Sequence, residues 1–379
     1  MKILWICGSR IVGGAERVSL QLAGLFGARG HAVAALCRPE SDVCRAAKRA
    51  GLTAHPAQLG GAWNVRAVGA IRRALDEIAP DVALVTTADE WVWSCLARRR
   101  KQRSRLVLVR HMAVPLNWRV RWLATRRADA VVAVSGVVRQ SLLGRFGVWP
   151  ERIHVIHNPV RFAPRAAVAG PPERARARAA LALPQSGRWV GFFGGLNRAK
   201  GLRDVMAAVG RANGQVGRTN LLVCGRPTDG TDGASVVEMT REFRLEGLVH
   251  YLGETERVEE ALTAVDVVAM ATHRELSEAL PATLLEAMAC GTPVLGYATG
   301  GITEAIGEDG QAGRLARADD VDDLARTLIE MLTDAAAVQR MGSAALSRVS
   351  TLFDPQRAAD RYEQLFSKLC ARRSIQVDR

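Results

Sequence analysis

Two kinds of hydrophobic pattern alternate along this chain of 379 residues. Short runs that are apolar almost throughout predict strands buried on both faces, and the stretches between them, with apolar residues three or four positions apart, predict helices. The predicted strands of the first half are Lys2–Cys7, His31–Leu36, Asp81–Thr86, Leu106–Arg110, Ala130–Val134 and Ile153–His157. Those of the second half are Trp189–Phe193, Leu221–Cys224, Val249–Leu252, Val267–Met270 and Pro293–Gly296. The alternation predicts an α/β protein with two doubly wound parallel sheets.

A segment rich in Pro, Ala and Arg separates the two sets of strands and ends near Pro184. We therefore expect a first doubly wound domain over residues 1–165, a second over residues 166–353, and a C-terminal helix and tail over residues 354–379. That helix is predicted to begin at Asp354-Pro355, because Asp is a common N-cap and Pro suits the first helical position. Ligands of such folds bind beyond the carboxyl ends of the strands.

Composition excludes several classes of protein. With 48% hydrophobic and 24% charged residues, the chain is too apolar to be intrinsically disordered. Its seven cysteines are scattered and form no C-x-x-C pair, which argues against a disulfide framework or structural zinc and favours a reducing cytosol. No apolar run reaches the ~18 residues of a membrane span, and the first residues are too short for a signal-peptide core. A cytoplasmic protein is expected.

The positive charge is concentrated in the first half. Residues 1–165 hold 27 Lys/Arg and 10 Asp/Glu, whereas residues 166–379 hold 25 and 28. One dense cluster is Arg98–Lys101, followed by Arg103 and Arg105; a second is Trp118–Trp122, followed by Arg126 and Arg127. Aromatic and basic residues together suit an anionic membrane surface. A solvated helix face is the alternative. Nucleic-acid binding is a third interpretation of the charge, but no zinc-finger, RNP or helix-turn-helix pattern accompanies it.

The segment Glu278–Val294 has the strongest chemical pattern. Glu278 falls in a loop after a predicted strand, and Glu286 falls inside the following helix, which Pro281 is predicted to open. Free N–H groups at the amino end of that helix attract a phosphate. Glu286 can accept two hydrogen bonds from a ribose diol, and Glu278 can reach sugar hydroxyls. The alternative is an amphipathic helix with a surface glutamate.

This segment closely resembles the signature of retaining glycosyltransferases of the family 4 type, which have the GT-B architecture. Further segments resemble the family's other motifs in the same order: Gly13–Arg17, Arg127–Ser135, Arg152–Val160, Gly194–Gly201 and Gly300–Glu304. The resemblance implies two Rossmann-like domains that face a cleft, with the C-terminal helix returning to the N-terminal domain.

The resemblance also implies roles for single residues. Lys200 would hold the donor's phosphates, with Gly194 in the same loop, and Glu278, Ala279, Leu280 and Glu286 would bind the nucleotide sugar. Gly195 stands where the family usually has an arginine, and Arg198 is the candidate replacement.

On the other domain, the resemblance places Gly13 and Gly14 against the donor's diphosphate and the acceptor. It places His111 near the donor sugar, whereas a lone histidine after a strand is otherwise more often structural. Glu304 is a weaker candidate, and Glu275 is an alternative to Glu278 that lacks the seven-residue gap to Glu286.

The implied reaction moves a sugar from a nucleoside diphosphate sugar, by default a UDP-sugar, to a hydroxyl with retention of configuration. The expected catalytic residues are His111, Glu278 and Lys200, with no metal and no cofactor. The expected acceptor is lipid-linked or part of a lipopolysaccharide or polysaccharide, reached at the inner face of the cytoplasmic membrane; no nucleic-acid partner is expected. A catalytically inactive GT-B protein that binds a sugar nucleotide or a polysaccharide-assembly partner is the alternative.

Overall fold

The computed structural model describes residues 1–61, 64–99, 102–114, 116–144, 147–227, 233–276 and 278–377. The chain forms two compact units, each built on one parallel sheet. The first contains residues 1–161 and the C-terminal helix, and the second contains residues 162–354. Within the described ranges, no helix is long and apolar enough to cross a bilayer.

The first unit alternates strands with helices. Its strands are β1 (Lys2–Cys7), β2 (Ala32–Cys37), β3 (Thr53–Pro56), β4 (Val82–Val85), β5 (Arg105–Arg110), β6 (Ala130–Ala133) and β7 (Ile153–Val155). Its helices are α1 (Gly14–Ala28), α2 (Asp42–Arg49), α3 (Arg66–Ile78), α4 (Ala88–Ala97), α5 (Trp118–Arg127) and α6 (Gly136–Leu142). The sheet order is β3-β2-β1-β4-β5-β6-β7, and all pairs are parallel.

The second unit repeats this plan. Its strands are β8 (Arg188–Phe193), β9 (Thr219–Cys224), β10 (Val249–Gly253), β11 (Val267–Met270), β12 (Val294–Tyr297) and β13 (Gly313–Ala316). Its helices are α7 (Pro171–Ala180), α8 (Leu202–Val216), α9 (Gly233–Glu242), α10 (Val258–Ala264), α11 (Ala282–Ala289), α12 (Gly300–Ile306), α13 (Val321–Thr333) and α14 (Ala335–Leu352). The sheet order is β10-β9-β8-β11-β12-β13, again parallel.

The predicted strands are all present, with ends shifted by one or two residues. Two further strands, β3 and β13, were not predicted. Each lies at an edge of its sheet and keeps several partly exposed positions. Edge strands of this kind lack the continuous apolar run that identifies a central parallel strand.

The last helix, α15 (Pro355–Val377), packs on the first unit, as the GT-B resemblance implies. Phe26 of α1 contacts Tyr362 and Phe366 with ring centroids 6.2 and 5.8 Å apart. Beside this aromatic cluster, Arg29 Nη1 lies 2.7 Å from Asp360 Oδ1 and 2.9 Å from Glu363 Oε2. Apolar burial and charge pairing therefore both hold the end of the chain against its beginning.

The first unit ends at Arg161, a few residues before the expected boundary at Arg165. Arg165 belongs to the second unit because its backbone N–H donates to Ala289 O at 2.9 Å. Its guanidinium also donates to Glu173 Oε1 at 2.8 Å.

Replacing Phe366 by alanine should lower the free energy of unfolding of the first unit by about 3–5 kcal/mol, because a fully buried ring leaves a cavity. Urea unfolding followed by tryptophan emission measures this, since seven of the eight tryptophans lie in residues 1–165. The exposed neighbour on the same helix gives the control: Gln364→Ala should change stability by less than about 0.5 kcal/mol. Equal losses in the two variants would contradict the packing described for α15.

Candidate functional site

The order of strands in the second sheet reverses between β8 and β11, because β9 and β10 lie on one side and β12 and β13 on the other. Doubly wound sheets bind ligands beyond the carboxyl ends of the strands at such a point. The loops that follow β8 and β11 hold most of the predicted site residues: Gly194, Gly195, Arg198, Lys200, Glu278, Ala279 and Leu280. The topology thus brings two separate sequence motifs to one edge of the sheet.

The two loops are in direct backbone contact. The His273 N–H donates to Ala199 O at 2.8 Å. At Gly201, whose φ is +72°, an added Cβ would lie 2.0 Å from the carbonyl oxygen of Ala271. Only glycine satisfies both this φ and this close approach. Asn197 Oδ1 accepts a hydrogen bond from the Lys200 N–H at 3.0 Å and so orders the turn that carries the lysine.

An ion pair joins the side chains of the two loops. The Lys200 ammonium donates to Glu278 Oε1. Both groups are half-buried, with 22% and 14% of the side chains exposed, so water screens the pair less than it would on an open surface. Arg198, by contrast, is exposed, as is the alternative acid Glu275. The structure therefore pairs Lys200 with the glutamate that keeps the seven-residue gap.

The backbone of the glycine turn at residues 300 and 301 also contacts the loop that carries Glu278. The Gly301 N–H donates to Glu278 O at 2.7 Å. A Cβ on Gly301 would lie 2.3 Å from Ala279 O, so a larger residue would displace this backbone. Both glycines thus approach the backbone of the loop that carries Glu278. Glu304 follows in the same short helix and is half-buried.

Helix α11 begins immediately after this loop. Pro281 is its N-cap, with φ −77° and ψ 99°, and Ala282 is its first residue. The expectation that Pro281 lies in the first turn is thus wrong by one position, because its ψ is still extended. Glu286 lies in the second turn and is half-buried. The helix therefore starts at the Glu278 loop and carries the second carboxylate of the motif.

The sequence analysis did not identify a cluster of three polar side chains in the second unit. Asp204, in the first turn of α8, accepts from the Tyr297 hydroxyl at 2.7 Å and lies 3.1 Å from His273 Nε2. Burial, and then the neighbouring carboxylate, raise the pKa of the Tyr297 phenol. Two features of the sequence could have indicated this cluster. Asp204 follows the glycine loop by one helical turn, and Tyr297 ends a buried strand. The cluster ties α8 and β12 to the loop that carries Glu278.

In the first unit, Gly13 and Gly14 connect the loop after β1 to α1. The Gly13 N–H donates to Glu16 Oε2 at 3.0 Å, and Glu16 is almost fully buried. A Cβ on Gly14 would meet no described atom within 4 Å. Packing within the described chain therefore does not demand glycine at position 14.

His111 directly follows β5, also in the first unit. Asn158 Nδ2 lies 3.4 Å from His111 Nδ1, which places the imidazole proton on Nε2 when the amide donates. Nε2 is buried and has no hydrogen-bond partner among the described residues. Burial, with a smaller contribution from the charge of Arg110, lowers the pKa of His111 to about 4. At neutral pH the imidazole is therefore uncharged.

Among the residues that the structure describes, no three His, Cys, Asp or Glu side chains are grouped so that they could hold a metal ion. The metal-independent reaction stays a prediction.

Two family models match the chain. The model for glycosyl transferases group 1 matches residues 173–348, and the model for glycosyltransferase family 4 matches residues 12–163. Together they cover most of both units.

Similar proteins agree with this. N-acetyl-alpha-D-glucosaminyl L-malate synthase of Bacillus anthracis is 29% identical over 45% of this chain and 42% of its own length. D-inositol 3-phosphate glycosyltransferase of Mycolicibacterium gilvum is 31% identical over 59% and 48%. The chain spans about half the length of the curated relatives it matches.

A solved structure similar along the whole chain is Anabaena Alr3699/HepE in complex with UDP. It has a TM-score of 0.85 and 20% identity, and covers 97% of this chain and 100% of that one. This likeness establishes a GT-B fold for the two parallel-sheet units. With both family models matched in order along the chain, the protein belongs to the glycosyltransferases of the family 4 type.

Proposed function

We propose that this chain transfers a sugar from a nucleoside diphosphate sugar, by default a UDP-sugar, to a hydroxyl of a lipid-linked or lipopolysaccharide or polysaccharide acceptor, with retention of configuration. The observation that carries the proposal is the Lys200–Glu278 pair at the reversal of the second sheet. A cation there can neutralise a diphosphate, and the carboxylate beside it can accept hydrogen bonds from sugar hydroxyls.

The donor would be bound by groups of the second unit. Lys200 and the N–H groups at the start of α11 take the diphosphate, since both present positive charge to an anion. Glu286 takes the ribose diol, and Gly194 and Gly195 let the loop approach closely. Ala279 and Leu280 lie beside the sugar. The UDP complex of the similar Anabaena structure supports a uridine nucleotide as the first donor to test.

In the proposed reaction, the bond between the anomeric carbon and the diphosphate oxygen breaks, and a bond to the acceptor oxygen forms on the same face. The acceptor's proton passes to a phosphate oxygen of the leaving diphosphate. The negative charge that develops on that diphosphate is stabilised by Lys200, so no metal and no separate base is required.

His111 would act as a neutral group. With its pKa lowered to about 4, the imidazole carries no charge at pH 7 and acts through its buried Nε2–H as a hydrogen-bond donor. Its expected role is to orient the donor sugar, together with Gly13 and Gly14 of the same unit at the diphosphate and acceptor.

The acceptor is proposed to be anionic and presented at the inner face of the cytoplasmic membrane. The excess of basic residues in positions 1–165 would attract such a molecule. Two relatives carry the names of anionic molecules, L-malate and inositol 3-phosphate, which supports a negatively charged acceptor.

One observation favours a second candidate function. Gly195 occupies the position of the family's usual arginine, and Arg198 is exposed, so the diphosphate would meet fewer cations than in other family members. A protein that binds nucleotide sugars without transferring or hydrolysing them would fit this difference.

A thermal-shift screen of UDP-, GDP-, ADP- and dTDP-sugars tests the proposal. A donor at 100 times its Kd should stabilise the second unit by ~2.7 kcal/mol, equivalent to a Tm increase of roughly 5–10 °C. Glu286→Ala should abolish most of the shift because the ribose loses its acceptor, and it should nearly abolish transfer while the unliganded Tm stays unchanged. No shift with any nucleotide sugar would sink the proposal; a shift without transfer or hydrolysis would favour the second candidate.

Neutralising Glu278 should affect nucleotide and sugar differently. In Glu278→Gln, Lys200 loses its ion pair and the diphosphate loses a repulsive carboxylate, so UDP alone should bind several-fold more tightly. Transfer should fall at least tenfold, because the sugar loses a charged hydrogen-bond acceptor. Calorimetry and a transfer assay measure the two effects. The exposed Glu275→Gln is the matched control and should change neither; weaker UDP binding in Glu278→Gln would contradict the assignment.

The low pKa of His111 predicts a pH dependence of stability. A histidine with pKa 6.5 when unfolded and about 4 when folded contributes stability that is complete above pH 6.5 and declines as the pH falls towards 4. Between pH 6.5 and 4.5 the wild type should therefore lose about 2–3 kcal/mol more than His111→Gln. Urea unfolding at a series of pH values, followed by tryptophan emission, measures the difference. Parallel pH profiles would show that His111 is not buried as described.

A further inference from the structure

Exposed tryptophans of the first unit are concentrated on α5 and the segment after α6. Trp118 and Trp122 of α5 are 49% and 45% exposed, and Trp149 is 49% exposed. Each is stacked with an arginine: Arg119 lies 5.4 Å from the Trp118 ring, Arg126 lies 4.9 Å from Trp122, and Arg152 lies 5.1 Å from Trp149. We call these six residues the α5 surface.

The segment that carries Trp149 adjoins the helix. The Thr125 hydroxyl donates to Gly147 O at 3.2 Å, and the Arg121 guanidinium donates to Leu143 O at 3.0 Å. Arg152 also donates to Ala128 O, at the end of α5. Trp149 and Arg152 therefore belong to the same side of the unit as α5.

The charge of this region is entirely basic. Residues 111–128 contain four arginines and no Asp or Glu. The guanidinium groups of Arg121 and Arg127 donate hydrogen bonds to backbone carbonyls within the unit. Arg119 and Arg126 are exposed, and neither is ion-paired with a carboxylate of the described residues. The helix thus presents two cations and two indole rings outward.

The other basic cluster of the first unit is organised differently. Arg98 pairs with Asp129 at 2.7 Å, and Arg105 pairs with the same carboxylate at 3.1 Å. Arg99 lies 3.6 Å from Asp76. Two carboxylates, Asp76 and Asp129, therefore offset part of the charge of this cluster. Arg100 and Lys101, which the sequence analysis includes in it, lie outside the described residues.

Further exposed apolar residues lie in the loop that precedes α5. Met112 and Val114, in the loop between β5 and α5, are 56% and 51% exposed. Met112 directly follows His111, so two exposed apolar residues lie in the loop that precedes α5.

We propose that the α5 surface is the docking surface for an anionic phospholipid bilayer. The indole rings would enter the headgroup region, where tryptophan is favoured, and Arg119 and Arg126 would bind lipid phosphates. The proposal deepens the proposed function, and rests on it only for the view that the acceptor is offered at a membrane. It places the loop after β5, with His111, next to the lipid surface.

Co-sedimentation of the full chain with vesicles tests the surface. Wild type should bind vesicles of equal parts phosphatidylglycerol and phosphatidylcholine and bind phosphatidylcholine alone much more weakly. Arg119→Gln with Arg126→Gln should lower the partition coefficient about 30-fold, because each basic residue near an anionic surface contributes ~1 kcal/mol. Trp118→Ser with Trp122→Ser should remove the binding that persists at high salt, because salt screens the arginines but not apolar insertion.

The matched controls come from the compensated cluster and from another exposed apolar residue of the same unit. Arg99→Gln with Arg103→Gln removes two positive charges, and Leu96→Ser removes an exposed apolar side chain. Both should partition like wild type. The proposal is overturned if these variants lose binding as much as the α5 variants do, or if wild type binds neutral and anionic vesicles equally. Wild-type dimers that the α5 substitutions convert to monomers would show that a second copy covers the surface instead.

Nucleotide binding in the same samples separates this proposal from the proposed function. The α5 variants should keep the wild-type Tm and the wild-type thermal shift with nucleotide sugars, because α5 lies outside the second unit. Vesicle binding that depends on α5 without any nucleotide shift would uphold the surface and refute the proposed function. A normal nucleotide shift with unaltered vesicle binding in the α5 variants would do the reverse.

Discussion

The contact between Lys200 and Glu278 joins residues 78 positions apart in the chain, and the arrangement of the second unit's site depends on it. The two loops meet because they follow neighbouring strands, and β8 and β11 are neighbours at the point where the strand order reverses. The meeting also needs glycine at position 201, where a side chain would collide with the Ala271 carbonyl. Topology and one small residue together create the charge pair.

The ion pair has a chemical consequence for ligand binding. A lysine already paired with a carboxylate is less attractive to a free diphosphate than an isolated lysine, since the two negative groups compete for one cation. A sugar attached to the diphosphate changes this balance, because its hydroxyls can donate to Glu278. In the proposed function, the pair would therefore favour an intact nucleotide sugar over the nucleotide that remains after transfer. The neighbouring Asp204 cannot take the place of Glu278, since it is held by the Tyr297 hydroxyl and His273.

The sequence was sufficient for the central strands and for two doubly wound parallel sheets, because strands buried on both faces leave continuous apolar runs. The GT-B architecture was inferred from the motif resemblance. It was insufficient for the edge strands β3 and β13, whose sequences TAHP and GRLA contain no continuous apolar run. Motif resemblance located Lys200 and Glu278 separately, but their contact is a tertiary fact that neither spacing nor periodicity contains. The sequence did not predict the cluster of Asp204, His273 and Tyr297 for the same reason. No local motif marks any of the three, and only the fold brings them within hydrogen-bond distance.

The two basic clusters of the first unit differ in ways that their composition alone does not reveal. The run that begins at Arg98 is the densest basic stretch in the sequence, yet Asp129 pairs with both Arg98 and Arg105, so one carboxylate offsets part of its charge. The arginines of α5 are fewer, but Arg119 and Arg126 have no such compensation among the described residues, and exposed indole rings accompany them. Attraction to an anionic surface depends on the charge that remains after internal pairing, and partition into it depends on apolar groups beside that charge. The exposed indole rings therefore make the sparser cluster the stronger candidate for an interface.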